Sequence, residues 1–184
     1  MKIGVLAVQG AFIEHEHIIE KIGHEVVEIR QRKDLDGIDG IIFPGGESTV
    51  QGQLLRKLDM LATIKSLIID GLPTLATCAG LILLAKQIDG GIPCFSVMDI
   101  RVKRNAYGRQ LGSFRTKGQV GSIDGEVPLT FIRAPRIVEV HGDAKALAKV
   151  DGRIVAARQD NQLGVTFHPE LDDDARLHEL FLQM

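Results

Sequence analysis

Four short apolar runs separated by helix-length segments constrain the fold of this chain more than any other feature. They are KIGVLAV (Lys2 to Val8), HEVVEIR (His24 to Arg30), DGIIFPGG (Asp39 to Gly46) and PTLATC (Pro73 to Cys78). The first is continuously apolar, as a strand buried on both faces requires. Between them lie GAFIEHEHIIEKIG, with Phe12, His15 or Glu16, Ile19 and Ile22 at helical spacing, and STVQGQLLRKLDMLATIKSLIIDG, which reads as one or two helices. Gly23 and Gly71 stand where helices stop, and Ser48 or Thr49 is a candidate N-cap. AGLILLAKQI, directly after Cys78, reads as a further helix. Strands alternating with helices predict an α/β fold with a doubly wound, mostly parallel central sheet flanked by helices.

The second half reads differently. MDIRVKR, LGSFRTKGQV, LTFIRA, RIVEV, RIVAARQ and LGVTFH are candidate strands, and DDARLHELFLQM closes the chain as a helix. They predict a small antiparallel extension of the sheet. No repeat or linker divides the 184 residues, so residues 1–184 are expected to form a single domain.

Charge excludes some classes of function. Lys+Arg 22 against Asp+Glu 24, with both signs scattered, provides no basic stripe for nucleic acid. No run nears the roughly 18 apolar residues that span a bilayer, and the start lacks a cleavage site of secretory type. Cys78 and Cys94 do not make a disulfide framework, and a cytoplasmic protein with reduced thiols is expected.

The run TLATCAG stops at a lone cysteine among small residues. Cys78 is either a buried, inert thiol or a nucleophile raised on a tight strand-to-helix turn, for which small neighbours are required. The second reading places the sulfur at a helix N-terminus, where partial positive charge favours a thiolate, with the Ala79 amide near a developing oxyanion. A base is available in TFHPEL: Pro169 is expected to hold His168 extended, so that Glu170, two residues on, reaches its imidazole. Cys78, His168 and Glu170 then form a nucleophile, a base and an orienting carboxylate. FPGGEST supplies two glycines whose backbone can approach a ligand; it lacks the Lys-Ser/Thr end of a phosphate-binding loop. In EHEH, His15 and His17 lie two apart on a helix and diverge, so no metal site is expected there. Cys94 reads as a core thiol, and His24, His141 and His178 have no partner legible in the sequence.

In order along the chain, GVLAVQGAFIEH, PGGEST, TCAGLILLA, RNAYGRQLGSF, FIRAP and FHPEL resemble the class I, triad-type glutamine amidotransferases. Within that class they resemble the glutaminase subunit of pyridoxal 5'-phosphate synthase, from about Ile3 to the final helix. RNAYGRQ and FIRAP are the more specific strings, and argue against a glutaminase of another biosynthetic amidotransferase, such as the histidine-pathway one. Intact Cys78, His168 and Glu170 argue against a non-catalytic module on the same fold.

The resemblance implies hydrolysis of L-glutamine to glutamate and ammonia, which passes to a separate barrel-shaped synthase subunit that makes pyridoxal phosphate. It implies Gly46, Glu47 and Ser48 along the bound glutamine, with Arg104, Ile132 and Arg133 as further substrate positions. It places Gly46 and Ala79 on the oxyanion side and Gln9 at the face toward the partner. It also implies that this chain binds neither cofactor nor metal, and is poorly active until the partner docks. Ala76 stands where the family usually has glycine, and Val8 where it usually has leucine.

Overall fold

The computed structural model describes residues 1–104 and 113–184. Its first half runs β1 (Lys2–Leu6), α1 (Phe12–Lys21), β2 (Glu25–Ile29), β3 (Gly40–Phe43), α2 (Ser48–Lys57), α3 (Leu61–Ile69), β4 (Thr74–Thr77) and α4 (Ala79–Leu84). The second half continues β5 (Ala85–Asp89), β6 (Met98–Lys103), β7 (Ser113–Gly118), β8 (Val127–Ile132), β9 (Arg136–Val140), β10 (Lys145–Val150), β11 (Arg153–Gln159), β12 (Gln162–Val165) and α5 (Arg176–Leu182).

The main sheet has the order β2-β1-β3-β4-β12-β11-β9-β6-β5, with β10 on β11. From β2 to β12 every pairing is parallel. β11 then turns the sheet antiparallel through β12, β9 and β10, while β7 and β8 form a separate antiparallel hairpin. The expected α/β architecture with an antiparallel extension is the one observed. Apolar continuity in the parallel strands has a direct cause. Ile41 and Phe43 face a core shared with α2, α3 and α4, while Ile42 faces one shared with α1 and α5. Alternate side chains of one strand thus go to opposite covered faces.

Strand order reverses around β1, because β2 lies on one side of it and β3 on the other. Ligand sites in open α/β sheets form in the crevice beyond the carboxyl ends of strands at such a point. The turns after β1, β3, β4 and β12 all open there, and they carry Gln9, Gly46, Cys78 and His168.

Local readings need four corrections. AGLILLAKQI is not one helix: it ends at Leu84, and Ala85–Asp89 pairs with β6 instead. All six residues of α4 are buried, so no polar face exists to carry the helix onward along the surface, and sheet pairing satisfies the next backbone groups. Neither Ser48 nor Thr49 caps α2; Glu47 occupies that position without a side-chain cap. KALAKV forms β10, a strand missed because its small residues and lysines carry little strand signal. Finally, Glu170 reaches His168 from a 3-10 turn at Pro169–Leu171 rather than along an extended segment. STVQGQLLRKLDMLATIKSLIIDG resolves into two helices, α2 and α3, with Asp59 between them at φ 53°. Among the described residues no helix is long and apolar enough to cross a membrane.

Candidate active site

Cys78 sits between β4 and α4 with φ 49° and ψ −101°. A side chain is rarely tolerated in this backbone region, and such residues cost about 1–3 kcal/mol that the surrounding fold must offset. Here the fold clamps both sides. The Cys78 N–H donates to the Val165 carbonyl at 2.9 Å, continuing the β4–β12 ladder through the turn. Beyond it, a Cβ on Gly80 would overlap the Phe43 carbonyl, 2.8 Å from its carbon, so α4 rests directly on the end of β3. Only glycine permits that approach. Ala76 is fully buried and paired with Phe43 and Gly164. Its methyl does not prevent the strained turn.

His168 follows β12 and is fixed by its N–H donating to the Thr130 carbonyl at 2.8 Å. Its Nδ1 lies 2.6 Å from Glu170 Oε1, and both residues are buried. The other side of the ring faces Cys78. Burial works against charge on the imidazole, but hydrogen bonds to Cys78 and Glu170 and the charges of both outweigh it, so the His168 pKa is pushed up to about 10. At neutral pH the imidazole therefore carries the proton, which suits it to protonate a leaving amine.

A cleft of about 510 Å³ opens over this pair. Gly46, Glu47 and Ser48 form one wall, and Ile132 and Arg133 another, with Gln9, Ala79 and Arg104 also at the surface of the cleft. Of the residues expected from the sequence, Glu170 alone does not line it; its carboxylate is buried behind His168. The Cys78 sulfur also lies 4.0 Å from the Ile132 carbonyl. Arg104 donates to Thr49 Oγ1 at 3.0 Å, whereas Arg133 is exposed with φ 43°. The remainder of RNAYGRQLGSF that precedes Ser113 lies outside the described residues.

The glycine pair of FPGGEST is tied to the turn after β1. The Gly45 carbonyl accepts from the Ala11 N–H at 3.0 Å, and the Glu47 N–H donates to Gln9 Oε1 at 2.8 Å. Gln51 Nε2 donates to the Gln9 and Pro44 carbonyls at 3.0 and 3.2 Å, joining the same two turns. A Cβ on Gly45 would overlap the His168 ring, at 2.9 Å from Nδ1, so this glycine lets the imidazole pack against the backbone.

Two residues set aside in the sequence lie directly behind the site. His15 and His178 are fully buried, with His15 Nδ1 2.9 Å from His178 Nε2 and His15 Nε2 3.4 Å from Glu170 Oε2. The inward place of His15 on the α1 stripe was the one signal of this; a pairing across 163 residues has none. Cys94, by contrast, is half-buried beside α2, and burial pushes its thiol up.

Comparison with known proteins identifies relatives of this chain. The sequence profile of the SNO glutamine amidotransferase family matches residues 5–184. A pyridoxal 5'-phosphate synthase subunit PdxT from Desulfitobacterium hafniense (strain DSM 10664 / DCB-2) is 56% identical over 184 residues, covering 99% of this chain and 92% of the relative. One from Methanocorpusculum labreanum is 55% identical, covering 100% and 97%. A crystal structure of a glutamine amidotransferase superimposes with a TM-score of 0.94 at 39% identity, over 98% of this chain and 97% of the other. Matched in this way from the first strand to the last residue, the chain is a member of the SNO glutamine amidotransferase family.

Proposed function

We propose that this chain, as one domain, is the glutaminase subunit of a pyridoxal 5'-phosphate synthase, with Cys78, His168 and Glu170 as its catalytic residues. The observation that carries the reading is the strained turn presenting Cys78 to an imidazole whose far nitrogen is 2.6 Å from a buried carboxylate. The Cys78 sulfur attacks the side-chain amide carbon of glutamine. The tetrahedral oxyanion forms beside the Ala79 amide, at the N-terminus of α4, and beside the Gly46 backbone. His168 gives its proton to the departing nitrogen, the C–N bond breaks and ammonia leaves a γ-glutamyl thioester on Cys78. His168, now neutral, takes a proton from water; hydroxide adds to the thioester, and glutamate departs as the sulfur is restored. Glu170 holds the ring in the orientation that serves both steps.

Glu47 and Ser48 flank the bound glutamine, with Ile132 opposite. Arg104 and Arg133 are the cations available for its α-carboxylate, which a planar guanidinium pairs in a forked geometry. Gln9, bonded to the Glu47 N–H, sits where a docking partner would reorder the Gly45–Gly46 backbone. Ammonia would then pass within a hetero-oligomeric complex to the barrel-shaped synthase subunit, in the cytoplasm.

Glutamate release from L-glutamine, measured with and without the purified synthase subunit, tests this reading. Release should rise when the synthase is added and be absent in Cys78→Ala. Release that persists in Cys78→Ala, or that ignores the synthase, would contradict it.

A further inference from the structure

Behind the catalytic carboxylate lies a chain of buried side chains drawn from four separate segments. Glu170 offers Oε1 to His168 and turns Oε2 toward His15 of α1, 3.4 Å from its Nε2. The same His15 nitrogen is 3.2 Å from Oγ1 of Thr77, the residue before the nucleophile. The other ring nitrogen, Nδ1, meets His178 Nε2 of α5 at 2.9 Å. All four of these side chains are buried.

We propose that His15 is a positioning residue of the glutaminase site, set by His178 into the tautomer that bonds its Nε2–H to Thr77 and lays the positive edge of the ring 3.4 Å from Glu170 Oε2, steadying the carboxylate behind His168. The inference rests on the reading of Glu170 as the carboxylate that orients His168.

The tautomers follow from the acceptors present. A neutral imidazole has one N–H and one lone pair. Were the His15 proton on Nδ1, its Nε2 lone pair would face a buried carboxylate oxygen, a repulsion magnified by the low local dielectric. With the proton on Nε2, the N–H donates to Thr77 Oγ1 with its positive end beside Glu170 Oε2, which accepts no hydrogen bond among the described residues, and Nδ1 becomes the acceptor for His178. His178 must then carry its proton on Nε2, which leaves Nδ1 as a lone pair. That Nδ1 is buried and has no hydrogen-bond partner among the described residues. An unmet acceptor is tolerated in protein interiors more often than an unmet N–H.

Both rings are held neutral. Burial lowers His15 first, with His178 and His168 adding to the effect, and burial alone brings His178 to about 4. A neutral donor stabilises the buried carboxylate without a second cation that would compete with the His168 imidazolium.

The test begins with the intact chain carrying 15N-histidine, whose ring nitrogen shifts report protonation at each position. At pH 7, His15 and His178 should both appear neutral with the proton on Nε2. A His15 proton on Nδ1 would overturn the inference. Kinetics with the synthase subunit give a second reading through His15→Phe and His15→Gln, since the glutamine amide can place an N–H near the same spot. His15→Phe should lower kcat roughly tenfold with KM retained, and His15→Gln should recover most of it. Unchanged kcat in His15→Phe, or a His15→Gln no better than it, would overturn the inference. A parent chain that hydrolyses no glutamine with the synthase overturns the proposed function and with it the positioning role, whereas a parent that does so while His15 carries its proton on Nδ1 overturns the inference alone.

Discussion

The strain at Cys78 can be measured apart from its chemistry by comparing Cys78→Ala with Cys78→Gly. Both remove the sulfur, so lost sulfur contacts cancel between them. Alanine keeps a Cβ at φ 49° and ψ −101°, whereas glycine reaches that region without steric cost. Releasing the strain stabilises glycine by about 1–3 kcal/mol. Its greater freedom in the unfolded chain takes back roughly 0.5–1 kcal/mol. Cys78→Gly should therefore exceed Cys78→Ala by about 1 kcal/mol, or about 2–4 °C in Tm for a chain of this size. Reversible urea unfolding at neutral pH provides the free energies, with a thermal scan as a check. Equal stabilities, or a more stable alanine variant, would show that the turn holds no strain, and the account of how β4 presents its cysteine would fail.

Three further outcomes follow. Gly45→Ala would drive its methyl into the His168 ring, and should cut glutamine turnover about 100-fold with the circular dichroism spectrum unchanged; near-normal turnover would mean that the ring position is not critical. His168→Asn should lower turnover with the synthase about 10²–10⁴-fold and leave the fold intact. pH acts on the two histidines in opposite directions. His178 has a folded pKa near 4, below its unfolded value, so the unfolded chain takes the proton first and stability falls as pH drops from about 6.5 to 4, by about 3 kcal/mol; His178→Phe should lessen the acid loss by this share and leave the part owed to His15, which burial also lowers. His168 has a raised folded pKa of about 10, so its stabilisation is complete below about 6.5 and disappears as pH rises through 10, a decline that His168→Asn should remove.

The parallel half of the sheet was legible because both its faces are covered, which writes unbroken apolar runs such as GIIF into the sequence. Its strand ends were legible for the same reason, and with them Cys78 and His168. Glu170 was assigned to the correct partner through the wrong backbone, since a 3-10 turn and an extended segment both bring residues i and i+2 near each other here. β10 escaped notice because its register against β11 is interrupted twice and its side chains are half solvated. The end of α4 was hidden because its residues are apolar on every side and lack helical periodicity, while AKQID after it, with only Ala85 and Ile88 buried, lacks the alternation of a strand. The His15–His178 contact was out of reach because neither residue sits in a motif; only the packing of α1 and α5 on one face of the sheet joins them.

The central claim is that glutamine is opened by the Cys78 sulfur through a thioester. Its most direct test is to mix the chain and its synthase subunit with L-glutamine, quench in acid within the first turnovers, and weigh the peptide containing Cys78. The account predicts a γ-glutamyl group on Cys78, which should disappear on incubation at neutral pH as glutamate is released. Rapid turnover with Cys78 unmodified at every quench time, together with glutamate still formed by Cys78→Ala, would contradict it.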